Sequence, residues 1–420
     1  MIRGTERKKV DILVQAAIYV YLLNALCKYF LPSTVTKLLP ISAVILAALR
    51  TPDSFKIKVE RIDKLFFVFL FVWFLGCLYS PAILKGLGYV LSFALALFFG
   101  IYIGRKNLNE KNIIRFLLIS CAIMTAFLII QPFAPAVVNG VTKLFSYSSE
   151  QYYLMNAWAK AGMYTGLFPD RAATAFFCCV LVDTGLYYLY QNGITRTTCW
   201  QSLLGILAII MGIYGGLLTA KRGLFLAMFV AVFITYVVYR KSKGVPIWKI
   251  CLAVAILAVV VGILLWNATV SRVILQRFFE SDDLLNGRGD IYSNIYVNIA
   301  SSPIFGRGTA SAFSLLGIGG HNIYLTVLME NGIIGLLSFL AAILYCLYRT
   351  IAVAMRFGKS NCLERIPFLL FSLFVQVFFL VYGLSGNPLY DNYILYFYLL
   401  AVFITKNCTF HFYKENDEER

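Results

Sequence analysis

Apolar residues in this chain come in blocks of roughly 16 to 22, cut by short polar or basic segments, without the stripes of an amphipathic surface helix. One such block crosses a hydrocarbon core of about 30 Å as a single helix. The blocks predict spans near 10–31, 35–50, 65–80, 83–104, 113–131, 172–190, 201–219, 224–239, 250–266, 333–349, 366–386 and 392–405. The first block is too long for a signal h-region and lacks a small-residue cleavage site, so it reads as a span. No internal repeat, low-complexity run or heptad pattern interrupts this order.

Basic residues then orient the spans, because Lys and Arg collect in cytoplasmic loops. Arg3, Arg7, Lys8 and Lys9 precede the first span. With strict alternation the other inner segments hold Lys56, Lys58, Arg61 and Lys64; Arg105, Lys106 and Lys111; Arg196; Arg240, Lys241, Lys243 and Lys249; and Arg349, Arg356, Lys359 and Arg365. Both termini fall inside, and the tail Lys414–Arg420 reads as a charged, disordered end. Three outer segments break the rule. The loop 132–171 carries Lys143, Lys160 and Arg171; the turn Ala220-Lys221-Arg222-Gly223 is basic; and the loop 267–332, bounded by Trp266, carries Arg272, Arg277, Arg288 and Arg307. Long loops translocate whatever their charge. That does not cover Lys221 and Arg222, in a turn of a few residues, which read as anion ligands.

Composition agrees. The 420 residues are 60% hydrophobic and 14% charged, against about 25% charged in a soluble domain. The net charge of +17 fits a membrane topology without invoking nucleic acid. Most of the ten cysteines sit inside apolar blocks without CxxC spacing, and only two histidines accompany them, so neither a metal site nor a disulfide frame is expected. Glu280, Asp282, Asp283 and Asp290 read as solvated acidic turns. The first outer loop, Pro32-Ser33-Thr34, holds no acidic pair. The expected site has no metal and no cofactor.

The chemistry concentrates between Asn286 and Gly335. After Gly287-Arg288-Gly289 a helix is expected, with Ile291, Tyr292, Ile295, Tyr296 and Ile299 on one apolar face, ending at Ser301-Ser302-Pro303. Gly317, Gly319 and Gly320 lead into His321-Asn322, where a second short helix begins and runs to Asn331-Gly332. A helix N-terminus and nearby arginines both disfavour imidazolium, so His321 reads as a neutral base able to take a proton from a hydroxyl. The bland alternative is a capping or packing histidine. Arg222 and Arg288 suit a phosphate, because guanidinium matches its oxygens in a bidentate fork. Arg307 either joins them or meets lipid headgroups; Lys221, Arg171 and Lys160 rank behind.

Several of these residues carry a resemblance. Lys221-Arg222-Gly223 opening a span, Arg288 opening the loop helix, Pro303 with Gly306 and Gly308, and His321-Asn322 followed by Glu330-Asn331-Gly332-Ile333-Ile334-Gly335 resemble the O-antigen ligase and O-antigen polymerase family over roughly residues 205–350. Tyr292, where many members have tryptophan, and Lys221, in place of a small polar residue, depart from that pattern.

The resemblance implies an all-α polytopic membrane protein of about 12 transmembrane helices, GT-C-like, with a large, partly helical outer loop between spans nine and ten. It divides the chain into residues 1–200, a ligase-like core at 201–350, C-terminal spans at 351–405 and a tail at 406–420. The implied activity is a metal-independent, inverting glycosyltransferase at the outer face of a bacterial cytoplasmic membrane. Its donor is a glycan on undecaprenyl diphosphate, with Arg222 and Arg288 holding the diphosphate and His321 activating the acceptor hydroxyl. A glycan or lipid acceptor, membrane lipid, a chain-length regulator and a flippase are the implied partners. A polymerase joins one lipid-linked repeat unit to another, whereas a ligase moves the glycan to lipid A-core or another acceptor. No residue decides between them; the reading favours polymerase because nothing demonstrates a Gram-negative envelope. A transporter would place ionisable residues within spans, and Asp183 is the one acidic residue expected there.

Overall fold

The computed structural model describes residues 12–31, 33–49, 59–145, 147–195, 199–246, 288–360 and 363–418. The ninth predicted span, Trp266, Arg272, Arg277, Glu280, Asp282 and Asp283 lie outside the described residues, as do Arg3, Arg7, Lys8, Lys9, Lys56, Lys58, Arg196 and Lys249.

Among the described residues the secondary structure is helical and contains no strand. In chain order the helices are α1 (Ile12–Leu26), α2 (Ser33–Leu49), α3 (Arg61–Leu78), α4 (Ile83–Ile103), α5 (Glu110–Ile130), α6 (Pro135–Thr142), α7 (Ser149–Lys160), α8 (Arg171–Thr195), α9 (Cys199–Leu218), α10 (Arg222–Ser242), α11 (Gly289–Ser301), α12 (Ser311–Leu315), α13 (Ile323–Lys359), α14 (Ile366–Tyr382) and α15 (Asn392–Glu418). Among the described residues, eight helical segments are long and apolar enough to cross a membrane: α4, α5, α8, α9, α10, α13, Leu363–Tyr382 and Asn392–Phe412. The predicted twelve exceeds that number. α1 and α2 have 15 and 17 residues, and α3 spends its first turn on Arg61, Asp63 and Lys64.

Two sequence expectations change. The stretch 132–171 is not plain loop: it folds into α6, with Pro135 in its first turn, and α7. α7 starts from a reciprocal cap in which Ser148 Oγ accepts from Gln151 N–H and Gln151 Oε1 accepts from Ser148 N–H. Of the tail, the backbone of Lys414–Glu418 continues the α15 helix.

The bundle is built around α8, α14 and α15, whose span segments are 83%, 83% and 94% buried. α8 and α9 pack closely because glycines face one another: a Cβ on Gly185 would stand 2.6 Å from the Gly205 carbonyl oxygen. Contacts sort the connections to two ends. At one end Asn407 reaches the carbonyls of Gly104 and Lys106, and Gly358 abuts Ser242. Inner-loop cations including Arg105, Arg240, Arg356 and Arg365 lie in the connections or last helical turns of that end. At the other end Ser80 donates to Thr309, Tyr164 N–H to Leu218 and Tyr324 to Leu380.

Candidate functional site

Among the described residues, three non-glycine residues are left-handed, all in this second end: Ala220 (φ 53°), Ala310 (φ 65°) and His321 (φ 51°). Such backbone persists only where its surroundings over-determine it, and here each holds a turn that presents a side chain.

The first turn joins α9 to α10. Ala220 N–H donates to the Leu217 carbonyl and Thr219 Oγ1 to that of Gly216. The reversal makes Lys221 the cap of α10 and Arg222 its first residue, both half-buried. Gly223 then lies against the connection between α14 and α15: a Cβ there would be 2.3 Å from Ser385 Oγ. Arg288, capping α11, donates through Nη1 to the Ser385 carbonyl at 3.2 Å. Residues 97 positions apart therefore bring the two arginine-bearing helix starts to one loop.

α11 forms as its pattern predicts. Ile295 is buried with Ala312 and Met329, and Ile291, Tyr292 and Ile299 pack beside it. Tyr296 does not belong to that face and is 58% exposed.

His321 stands immediately before Asn322, whose Oδ1 accepts the Tyr324 and Leu325 N–H groups and caps α13. Ile323 N–H donates to Gly383, tying this start to the same α14–α15 connection. Burial, then the charges of Arg288 and Lys221, hold the imidazole below the usual histidine range. These side chains therefore share one electrostatic neighbourhood. Desolvation likewise pulls the Lys221 ammonium down, with Asp170 and Asp391 opposing it and Arg171 and Arg288 adding to it.

Asp391 and Asp170 are the acidic members of the site, and the sequence reading passed over both. Asp170 Oδ1 caps the start of α8 at Ala172 N–H. Burial pushes the Asp391 carboxyl up to about 7, with Lys28 and Lys221 opposing and Asp170 reinforcing. Two signals existed: Asp391 is the lone charge of the loop 387–391, and Lys28 fell inside a predicted span, where a cation calls for an explanation. Arg171 packs its guanidinium 4.8 Å over the Trp158 ring and also reaches Met163. Arg307 is exposed, and its main chain, not its guanidinium, serves the fold, the N–H donating to Met329. Lys160 is exposed at the end of α7. Neither shares a described contact with Arg288 or His321.

A buried clamp holds the strap that leads to His321. Glu330, fully buried, accepts from the N–H groups of Ala310 and Ala312 at 2.8 and 3.1 Å and from the Tyr390 hydroxyl. Asn331 Nδ2 donates to Thr309 Oγ1, which donates to the Trp73 carbonyl of α3. At Gly332 the helix breaks (φ 62°, ψ −166°), and a Cβ there would lie 2.0 Å from the Ile304 carbonyl oxygen. The Glu330-Asn331-Gly332 sequence is thus a structural device that fixes the strap from both sides.

No curated protein matches the chain. Residues 206–340 match the family described as O-antigen ligase. That stretch contains Lys221, Arg222, Arg288, His321 and the Glu330 clamp, and excludes Lys28, Asp170, Arg171 and Asp391. Over residues 206–340, about a third of its length, this multi-pass membrane chain is thus similar to the O-antigen ligase family.

Proposed function

We propose that the protein is a glycosyltransferase that polymerises oligosaccharide repeat units carried on undecaprenyl diphosphate, without a metal. The observation that carries this reading is the meeting of Arg288, Lys221 and His321 in one neighbourhood within the family-matched segment, beside Arg222. Arg222 and Arg288, supported by Lys221 and Arg171, hold the diphosphate. Arg307 stands apart and is left out of that set.

In the reaction the acceptor hydroxyl oxygen attacks the anomeric carbon of the donor sugar from the face opposite the diphosphate. The new C–O bond forms as the bond from that carbon to the phosphate oxygen breaks, which inverts the centre. His321 takes the hydroxyl proton, a step typically contributing about 100- to 10,000-fold. The leaving lipid diphosphate carries away the electron pair, and fixed guanidinium groups stabilise that charge without reorganising. The basic residues of the opposite end support an inner position for that end and an outer one for the site. The ligase core assigned to 201–350, with flanking spans before and after it, follows the same division. A chain-length regulator and a flippase are expected companions.

The test is complementation of a strain lacking the gene, with surface polysaccharide resolved by length on a gel. Wild type should restore long chains, and His321→Ala, Arg222→Ala and Arg288→Ala at matched membrane expression should leave single repeats. Long chains that stay on the lipid carrier would mark a ligase. Three variants indistinguishable from wild type would remove the site assignment and favour a transporter.

A further inference from the structure

Beside the cations of the proposed diphosphate site lies a group of different character. Lys28, in the turn after α1, holds its ammonium 5.1 Å over the Tyr29 ring and 5.2 Å over the Tyr393 ring. The two rings are 6.3 Å apart. The charges acting on Lys28 are Asp391 and Asp170, and the Tyr29 hydroxyl faces Asp170. Both carboxylates also act on Lys221, so this group adjoins the diphosphate grip. Lys28, Tyr29, Asp170 and Asp391 keep part of their surface open although they lie among helices.

The Tyr393 hydroxyl supplies an independent observation. Tyr393 is 1% exposed and its hydroxyl has no hydrogen-bond partner among the described residues. Its electrostatic neighbours are Asp391, Asp170, Tyr29 and Tyr382, so it belongs to the same group. An unsatisfied buried hydroxyl is costly, and a ligand offering its own hydroxyls removes that cost.

We propose that the group formed by Lys28, Tyr29, Asp170, Asp391 and Tyr393 takes the sugar ring attached to the lipid diphosphate. The inference rests on the diphosphate reading above. The two acidic side chains suit hydroxyl donors better than a second phosphate, so the group is not an extension of the anion site. A sugar ring matches it: its hydroxyls donate to carboxylates, accept from an ammonium and a phenol, and its C–H face lies on tyrosine rings. All five residues fall outside residues 206–340. The family segment would then grip the carrier, while the N- and C-terminal helices set which sugar is accepted.

The experiment uses the full-length protein in lipid nanodiscs and two probes: undecaprenyl diphosphate, and the same carrier bearing the host strain's repeat unit. Wild type should bind the glycosylated carrier at least tenfold more tightly. Lys28→Gln and Tyr393→Phe should erase that preference while keeping the affinity for undecaprenyl diphosphate within about twofold. Tyr29→Phe, which keeps the ring, serves if either variant fails to fold by thermal unfolding. Equal weakening for both probes, or an undiminished preference, overturns the sugar subsite. A wild type that binds neither probe overturns the diphosphate reading beneath it.

Discussion

Removing the Glu330 carboxylate gives a sharp test of how the strap before His321 is held. Glu330→Ala strands three buried donors at once: the N–H groups of Ala310 and Ala312 and the Tyr390 hydroxyl. A buried donor left unmade costs about 1–3 kcal/mol, so the three together amount to about 4 kcal/mol or more. Ala310 adds to this, since its left-handed backbone (φ 65°) is held by the lost acceptor. Tyr390→Phe removes one donor and leaves the carboxylate two others, a loss of about 1 kcal/mol. In the double variant the phenol no longer has a partner to lose, so its cost should resemble that of Glu330→Ala alone. Unfolding in detergent, followed by helix content, measures all three. Turnover should fall further than the folded fraction, because the strap carries His321. A Glu330→Ala cost below about 1 kcal/mol, or strict additivity with Tyr390→Phe, would refute the clamp.

Gly332→Ala should destabilise strongly, because the new methyl meets the Ile304 carbonyl in a conformation that L residues rarely adopt; a variant with wild-type unfolding would contradict that geometry. His321 works as the neutral form, and burial with Arg288 and Lys221 lowers its pKa. Activity should therefore persist to more acidic pH than an ordinary histidine allows and fall only below its lowered value. Lys221→Met should move that acidic limb of kcat to higher pH, since the lost cation had disfavoured imidazolium; an unmoved or opposite limb would count against His321 as the base. At the other end, Lys406 and Asp63 pair at 2.6 Å with 1% and 0% side-chain exposure. Lys406→Met alone should cost about 3–5 kcal/mol by leaving a buried charge, and Asp63→Leu with Lys406→Met appreciably less; equal costs in an unfolding assay would argue against the pair.

Span-length apolar blocks made most of the bundle legible, because a helix inside lipid needs little beyond length and hydrophobicity. α6 and α7 were not visible that way, being short and defined by a proline start and a reciprocal cap. α11 and the start of α13 were legible from periodicity and from Asn322, although Tyr296 was placed on the wrong face. The individual arginines and His321 stood out as charge in unusual places. Their neighbourhood did not, since Arg288 meets Ser385, and Lys28 senses Asp391, across hundreds of residues or nearly a hundred. The role of Glu330 was hidden for the same reason: its partners come from the strap and from Tyr390, and only the folded chain shows a carboxylate used as a buried acceptor.

One site divides its labour in the proposed reaction, with arginines gripping the diphosphate and His321 moving the proton. The direct measurement is a paired assay on protein in lipid nanodiscs: undecaprenyl diphosphate affinity, and turnover of the glycosylated carrier, for wild type, Arg288→Ala and His321→Ala. Arg288→Ala should weaken carrier binding by at least tenfold, whereas His321→Ala should bind within about twofold of wild type and lose at least a hundredfold in turnover. Undiminished carrier binding in Arg288→Ala, or turnover in His321→Ala near that of wild type, would contradict this division of roles.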